Sequence, residues 1–255
     1  MISSSMEPDF PIRFPERLPS RLEKCAIVEA VLEVRFLATE PWTNMPGLLF
    51  AKIRERYPQQ MNLPLSQVPE QLRQQQANLI SLPLMQFSND QFIINFGPRV
   101  VGLVTKPNSY PGWDLFSKEM NWLIGCLKDA NFIQEGERLG VRYINFFEED
   151  LLPNLVLETM VAGKPLLGSE MLLSFGLHKA PFVVRLQVIK GAISQFEKGP
   201  KTGNVLDVEV WLAPNDFDLF GNGIVRFEEG HTLAKQIFFG LLKDEFLTTL
   251  NPTYS

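Results

Sequence analysis

Cysteine and histidine are scarce in this sequence: its 255 residues include only Cys25, Cys126, His178 and His231. The chain contains no C-x-x-C pair and no H-E-x-x-H motif. A structural zinc site needs four closely spaced ligands, which this scattered set does not supply. We therefore expect no metal site and no cofactor. Cys126 falls within an apolar-periodic segment and is expected to pack as a small core residue.

Long apolar runs are also absent, since none approaches the roughly 18 residues of a membrane-spanning helix. The first ten residues, MISSSMEPDF, lack the basic and apolar regions of a signal peptide. The phosphate-binding motifs G-x-G-x-x-G and G-x-x-x-x-G-K-[ST] are missing, and so is the G-x-S-x-G motif of hydrolases. These absences argue against nucleotide-dependent motors, dehydrogenases and α/β-hydrolases, and they favour a cytoplasmic location.

The charge balance is slightly acidic, with 24 lysines and arginines against 29 aspartates and glutamates, for a formal net charge of −5. A chain with this charge has no broad attraction for phosphate backbones or anionic membranes, so we expect neither nucleic acid nor membrane as a partner. Hydrophobic residues make up 45% of the sequence, which is enough for a sizeable core.

Prolines are concentrated at the N-terminus, where Pro8, Pro11, Pro15 and Pro19 follow one another closely. Such spacing is incompatible with a helix or a central strand. Residues 1–20 are therefore predicted to form a proline-rich extended arm, which packs either on the body of the protein or on a partner.

One strand pattern occurs twice in the chain. AVLEVRFL (30–37) alternates apolar and charged residues, as a half-buried strand does, and RLGVRYI (138–144) matches it at an offset of 107 residues. The same offset places MPGLL (45–49) over LPNLV (152–156). A proline near the start of an apolar segment predicts the first turn of a helix in both copies.

Farther along, an offset of 115 residues places GCLKD (125–129) over GLLKD (240–244), at the ends of two amphipathic segments. Each half also contains three strand-like runs, so each is predicted to contain, in order, a strand, a helix, three strands and a second helix. Two such repeats predict an α+β fold with a pseudo-twofold antiparallel sheet and helices on one face. The first repeat spans residues 21–132 and the second 133–255, and both belong to one compact body.

Five segments also carry a family resemblance: IVEAVLEVRF (27–36), YPGWDLF (110–116), RLGVRYIN (138–145), LDVEV (206–210) and FEEGHTLAKQIF (227–238). In this order they resemble a sporadically distributed family of uncharacterised prokaryotic proteins with a mid-chain RLG[LV]RYIN signature. The resemblance covers most of residues 22–250. It implies no activity and brings no catalytic residues. The patchy occurrence of the family resembles that of horizontally transferred genes, such as those in defence or mobile-element neighbourhoods.

The strand patterns predict one polar face of the sheet. If Leu139, Val141 and Tyr143 face the helices, the charged residues between them face the opposite side. Applied to the other strands, this alternation gives a set of candidate ligand-binding residues: Arg35, Arg138, Arg142, Arg185, Asp207, Glu209 and Trp211. Two interpretations remain open. The charges form cross-strand ion pairs, or they line a polar cleft in which arginines bind an anionic or polar ligand.

Two acidic motifs have alternative interpretations as well. FEEGH (227–231) contains the residue types of a metal or acid–base site, but acidic residues are equally typical of the start of a helix. Asp207 and Glu209 resemble the carboxylate pair of a metal-dependent nuclease. No lysine accompanies them along DVEVWL, as such a core would require. Trp113 in YPGW is expected to be a packing anchor at the start of a helix.

The sequence therefore favours a soluble, non-catalytic binding or interaction protein that uses the polar sheet face or the N-terminal arm. Its partner would be a protein or a small polar ligand. The alternative hypothesis is an enzyme that acts on a small polar or anionic substrate at the same face, with Asp207 and Glu209 as acid–base groups. A homodimer is expected only because such assemblies are common.

Overall fold

The computed structural model of this chain describes residues 10–165, 168, 170–196 and 199–254. Its helices are α1 (Met45–Ile53), α2 (Glu70–Gln74), α3 (Ala77–Ile80), α4 (Trp113–Ala130), α5 (Gly223–Leu241) and α6 (Asp244–Thr249). Its strands are β1 (Arg21–Leu22), β2 (Ile27–Ala38), β3 (Gln59–Asn62), β4 (Met85–Ser88), β5 (Phe92–Gly97), β6 (Val100–Thr105), β7 (Ile133–Phe147), β8 (Met160–Val161), β9 (Lys164–Pro165), β10 (Met171–Lys179), β11 (Phe182–Phe196), β12 (Gly199–Leu212) and β13 (Pro252–Thr253).

Of the described strands, nine form a single antiparallel sheet in the order β10–β11–β12–β7–β2–β6–β5–β4–β3. The sequence alternation that predicted β2 is visible in its burial, because Leu32, Val34 and Phe36 are fully buried while the residues between them are partly exposed. β2 pairs with β7 near the middle of the sheet, where Leu32 lies opposite Val141. The prediction of a large antiparallel sheet in an α+β fold is therefore confirmed.

The three longer helices pack on one face of this sheet. Phe50 of α1 stacks on Phe87 of β4 with ring centroids 5.7 Å apart, and Phe116 of α4 stacks on Phe92 of β5 at 5.9 Å. On α5, a Cβ atom at Gly230 would lie 3.2 Å from Val141 of β7, so the helix backbone lies close to the sheet. The core lies between these helices and the sheet. None of the described helices is long and apolar enough to cross a membrane.

The predicted order of elements is wrong in both halves. The helix expected to begin at LPNLV (152–156) is only a 3-10 turn, Leu152–Asn154, so the described residues of the second half contain no counterpart of α1 at that place. Two short strands, β8 and β9, follow the turn before β10. In the first half, four strands rather than three follow α1, because β3 forms in the polar stretch after α1 and pairs with β4.

The N-terminal arm packs on the body of the protein over the part that the structure describes. Residues 1–9 of the predicted arm lie outside the described residues. Beyond them, the chain crosses α5 so closely that a Cβ atom at Gly240 would lie 2.6 Å from the carbonyl oxygen of Arg13. The arm then runs to β1, which pairs with β13, and the Ser20 amide donates to the Thr253 carbonyl at 2.7 Å. The two ends of the described chain are thereby held together.

Candidate functional site

Strand β7 presents polar side chains to both faces of the sheet. Arg138 and Arg142 extend from the open face, which α1, α4 and α5 do not cover. Tyr143 and Asn145 extend from the helical face, where Tyr143 contacts α5. This division follows from the two-residue period of a strand. It creates two candidate sites, one on each side of the signature segment RLGVRYIN.

On the open face, Arg142 forms a two-point ion pair with Asp207 of the neighbouring strand β12. Its Nε and Nη2 atoms donate to Oδ1 and Oδ2 of Asp207 at 2.9 and 2.6 Å. This hydrogen bonding raises the pKa of the Arg142 guanidinium, which therefore stays cationic. Asp207 is buried, and both of its carboxylate oxygens accept a hydrogen bond from Arg142.

Arg138 is held in the middle of the same face by two carboxylates and an indole ring. Its Nη1 atom donates to Glu33 at 2.8 Å and its Nη2 atom to Glu209 at 2.5 Å. The guanidinium also lies over the ring of Trp211, 4.6 Å from the centroid. Such stacking adds to the charge pairing because the ring face is electronegative.

The remaining two arginines extend these contacts. Arg35 donates to Glu33 at 2.9 Å, and Arg185 forms an ion pair with Glu209. We call this cluster the arginine network: Arg35, Arg138, Arg142, Arg185, Glu33, Asp207, Glu209 and Trp211. All seven residues that the sequence predicted for this face are members of the network. Each of its arginines is paired with a carboxylate of the protein itself.

Glu209 of the arginine network is a poor candidate for an acid–base group at neutral pH. Burial alone would raise the pKa of Glu209, but the charges of Arg138, Arg185 and Arg142 together outweigh it and the pKa is lowered. Glu29, which sequence analysis missed, differs from Glu209. Burial raises its pKa and Asp207 adds to the effect, although Arg142 opposes it. Glu29 lies on β2, where the charges of Arg142 and Asp207 act on it. Its position on this strand is the sequence feature by which it could have been included among the candidate residues.

On the helical face, a cavity of about 910 Å³ lies between the sheet, the N-terminal end of α4, α5 and the chain around β1. We call it the tyrosine–histidine cavity. Its lining includes side chains from β1, α4, β7, β12 and α5 and from the segments that precede β2 and α4: Leu22, Cys25, Tyr110, Trp113, Asp114, Tyr143, Asn145, Val208, Glu228, His231, Thr232, Ala234, Lys235, Phe238 and Phe239. The volume lies within the range of cavities that hold small molecules.

His231 is fixed in this cavity by two aromatic neighbours. Its Nδ1 atom is 2.8 Å from the hydroxyl of Tyr143, and its ring stacks on Trp113 with centroids 4.1 Å apart and an interplanar angle of 4°. The indole N–H of Trp113 donates to Glu228, one turn before His231 on α5. Trp113 is thus a packing anchor at the start of α4, as predicted, and it also orients His231.

The surroundings of His231 keep its imidazole neutral. Burial, with a smaller contribution from the charge of Lys235, lowers the pKa of His231 to about 3. Burial likewise raises the pKa values of Tyr143 and Tyr110, whose rings meet edge-on at a centroid distance of 5.8 Å. All three groups are therefore uncharged at neutral pH, and they act as hydrogen-bond donors and acceptors.

The structure separates the residues of FEEGH (227–231) instead of assembling them into one site. Glu228 and His231 line the tyrosine–histidine cavity, whereas Glu229 pairs with Arg226 at 2.8 Å. The motif lies within α5, after its first turn. Sequence analysis missed the roles of Tyr143, Asn145 and Lys235. The helical spacing of Glu228, His231 and Lys235 is the signal that places three polar groups on one face of α5.

Across the described part of the chain, no group of three or more histidine, cysteine, aspartate or glutamate side chains is placed to hold a metal ion. Comparison with protein-family models gave no match, and neither did comparison with curated proteins. The geometry of the arginine network and of the tyrosine–histidine cavity is therefore the basis for a functional conclusion.

Proposed function

We propose that this protein is a non-catalytic binding protein that holds a small molecule in the tyrosine–histidine cavity. The observation that carries the proposal is the neutral His231, stacked on Trp113 and hydrogen-bonded to Tyr143 in the wall of a cavity of about 910 Å³. Concave, largely aromatic sites with a few fixed polar groups are the usual form of ligand sites. Perturbed titration of a group within such a cavity further supports a functional role.

The arginine network is less suited to hold an anionic ligand. Arg142 directs two donors at Asp207, and Arg138 is shared between Glu33 and Glu209. An incoming anion would have to displace these carboxylates, and Asp207 and Glu209 are already buried. Breaking a partly buried ion pair leaves an uncompensated charge, which is costly. This argument supports the cavity over the open face as the site for a small ligand.

The proposal can be tested by blocking the mouth of the cavity without disturbing its core. Thr232 is an exposed residue of α5 that lines the cavity, so Thr232→Trp should fill the opening. Val225 is also exposed on α5, at 56%, but lies outside the lining, so Val225→Trp is a matched control. Both variants add the same side chain to the same helix.

Native mass spectrometry and ligand-observed NMR with a mixture of small aromatic and aliphatic fragments would compare the three proteins. We expect the wild type and Val225→Trp to retain the same extra mass or the same bound fragments, and Thr232→Trp to lose them. Equal binding by Thr232→Trp would contradict a ligand site in the cavity. A wild type that carries no extra mass and binds no fragment would also contradict it.

A second candidate function is the binding of a protein partner to the arginine network. It is favoured by the composition of the network, because arginine and tryptophan are enriched at protein interfaces. The side chains of Arg142 and Arg185 are 34% and 46% exposed, so they remain accessible at the surface. The test is Arg142→Ala in a pull-down experiment. A folded variant that keeps every partner of the wild type would exclude this surface.

An enzyme acting at the open face is a weaker alternative. It would use Asp207 and Glu209 as acid–base groups, but the lowered pKa of Glu209 keeps that carboxylate ionised. Glu29 is better suited, because its pKa is raised. Titration of Glu29 at the ordinary value of about 4.3 would remove the remaining support for this alternative.

We also propose that the two halves of the chain arose by duplication. The strand order is the support: on either side of the β2–β7 pair, the next three strands outward are β6–β5–β4 and β12–β11–β10. The two halves differ in that the described residues of the second half contain no counterpart of α1, and in the additional strands β3, β8 and β9. Membership of the family that carries the RLG[LV]RYIN signature, a cytoplasmic location and a homodimer remain predictions from sequence.

A further inference from the structure

Two cations line the tyrosine–histidine cavity: Arg21, which is exposed, and Lys235, which is partly buried and is not neutralised by any carboxylate of the described residues. Lys235 lies one helical turn after His231 on α5 and lines the cavity. It is partly buried, and burial lowers the pKa of its ammonium group with no acidic neighbour to oppose the effect. The arginines of the open face contrast with it, because each has a carboxylate partner.

The acidic residues of the lining are less able to bind a ligand charge than Lys235. Asp114 and Glu228 are exposed, and Glu228 already accepts the indole N–H of Trp113. Glu23 lies near the arm and accepts a hydrogen bond from Asn251 at 2.7 Å. The partly desolvated charge of the cavity is therefore positive. Electrostatic interactions of such a charge are stronger than those of a fully hydrated one.

Neutral polar groups line the same cavity as Lys235. Asn145 is 2% exposed, and its Nδ2 atom donates to the carbonyl of Leu206 at 3.1 Å, which leaves the amide oxygen available on the cavity side. The Nδ1 atom of His231 is engaged by Tyr143, so Nε2 is the ring atom that remains for a ligand. Neither group carries a charge that would oppose an anion.

The remainder of the lining is apolar. Phe238 and Phe239 follow Lys235 on α5, with ring centroids 5.1 Å apart, and Val208 and Ala234 add aliphatic surface. A ligand that fits this wall has a hydrophobic body and one charged end. Burial of the body supplies affinity, and the single ammonium group fixes the orientation.

We propose that the ligand of the tyrosine–histidine cavity is a small organic acid, whose carboxylate binds Lys235 and whose apolar or aromatic body packs against Phe238 and Phe239. This inference rests on the proposed function, because it names the chemical class of the molecule that the cavity holds. Asn145 and His231 then discriminate among acids by hydrogen bonding to polar substituents.

Isothermal titration of the full-length chain with a matched pair of probes tests the inference. The probes are 3-phenylpropanoate and its uncharged analogue 3-phenylpropanamide, which share size and ring. The variant is Lys235→Met, which removes the charge and retains an unbranched side chain. The control is Lys118→Met, since Lys118 is exposed on α4 and does not line the cavity.

We expect the wild type and Lys118→Met to bind the acid at least about tenfold more tightly than the amide, a factor that corresponds to about 1.4 kcal/mol. In Lys235→Met the preference should fall to about twofold or less, while the amide binds as it does to the wild type. An amide that binds the wild type as tightly as the acid would overturn the inference. A preference that survives in Lys235→Met would do the same.

The experiment separates this inference from the proposed function. If both probes bind the wild type equally and Thr232→Trp excludes both, the cavity is a ligand site but not one for acids. If neither probe binds the wild type but Thr232→Trp still removes the extra mass or bound fragments that the wild type retains, the inference fails and the proposed function stands. If Thr232→Trp binds both probes unchanged, the proposed function fails and the inference fails with it. Circular dichroism of each variant confirms that the fold is retained.

Discussion

The hydroxyl of Tyr143 and Nδ1 of His231 are 2.8 Å apart and join the central strand β7 to helix α5. Both residues come from segments with strong structural patterns, a buried strand and an amphipathic helix, yet their polar atoms meet at the wall of a cavity. The backbone of α5 lies close to β7 at Gly230, next to His231. Close packing of the helix therefore positions the imidazole within reach of the phenol.

Removal of this hydrogen bond should lower stability measurably. Tyr143→Phe keeps the ring, which packs against Tyr110, and removes only the hydroxyl. A buried partner left without its hydrogen bond costs about 1–3 kcal/mol, so we expect a loss of that size in the free energy of unfolding. Urea denaturation monitored by circular dichroism would measure it.

The control is Tyr254→Phe, because Tyr254 is 41% exposed at the C-terminus. Its hydroxyl should contribute less than about 0.5 kcal/mol, as is usual for surface positions. If the two variants were equally stable, the hydrogen bond between Tyr143 and His231 would not contribute to the folded state.

The lowered pKa of His231 predicts that stability falls as the pH falls. In the folded chain this pKa is about 3, against 6.5 for an ordinary histidine, because of burial and the charge of Lys235. Between these values the unfolded chain binds a proton that the folded chain does not. Acidification from about pH 6.5 towards pH 3 should therefore reduce the free energy of unfolding by at most about 1.4 kcal/mol per pH unit from this residue.

His231→Gln removes the titrating group and isolates its effect. Comparison of the free energy of unfolding at pH 7 and pH 5 should show a larger loss for the wild type than for this variant. The carboxylates of the chain titrate in both proteins, so their contribution cancels in the comparison. Equal losses in the two proteins would mean that His231 is protonated in the folded state over this range.

The large sheet could be predicted from sequence because apolar and charged residues alternate along β2 and β7, and this alternation matches the side chains that are buried and exposed. Leu32 and Val141 are apolar at core positions, and Glu33 and Arg142 are charged on the open face. The same parity argument brought together the residues of the arginine network. Local patterns suffice when the side chains concerned occupy neighbouring strands of one sheet.

The helix predicted at LPNLV (152–156) did not form because tertiary hydrogen bonds satisfy its backbone instead. The amide of Val156 donates to the carbonyl of Leu241, and the amide of Lys243 donates to the carbonyl of Asn154, both at 2.9 Å. The segment thus pairs with the end of α5. Local propensity is a weak prior, and contacts of this kind override it.

The tyrosine–histidine cavity was not predictable in the same way, because its lining comes from distant parts of the chain. Leu22 follows the arm, Trp113 begins α4, Tyr143 belongs to β7 and His231 to α5. Each residue has an ordinary structural explanation when its own segment is considered alone. Only the packing of α4 beside α5 on one face of the sheet brings these side chains together.

Of the arginines in the arginine network, the least exposed one should contribute most to the free energy of unfolding. The side chain of Arg138 is only 14% exposed and contacts Glu33, Glu209 and Trp211. Arg138→Met would leave the buried Glu209 with less compensation and remove the stacking on Trp211. We expect a loss of about 2 kcal/mol in the free energy of unfolding. Urea denaturation at low and high salt would measure this loss.

Arg185→Met is the matched comparison, since Arg185 also pairs with Glu209 but is 46% exposed. An exposed ion pair contributes little, so the loss should stay below about 1 kcal/mol and shrink further in salt. Equal losses for the two variants would contradict the assignment of Arg138 as the central cation of the network.

The contact between the arm and α5 predicts opposite effects for two glycine substitutions. Gly125 of α4 and Gly240 of α5 each begin a similar run of residues, GCLKD and GLLKD. A Cβ atom at Gly125 meets nothing within 4 Å, whereas one at Gly240 would lie 2.6 Å from the carbonyl oxygen of Arg13. Gly125→Ala should stabilise the chain by about 0.5–1 kcal/mol through helix propensity.

Gly240→Ala should instead displace the arm, because a backbone carbonyl cannot yield as the end of a flexible side chain can. Arg13 and Arg17 lie in the arm, and each provides a cleavage site for trypsin. We expect faster tryptic cleavage after these two residues in Gly240→Ala than in the wild type or Gly125→Ala, with the sheet still folded by circular dichroism. The arm contributes to the wall of the tyrosine–histidine cavity, so its displacement should also weaken binding of 3-phenylpropanoate. Cleavage at the wild-type rate would show that the arm does not depend on the close approach at Gly240.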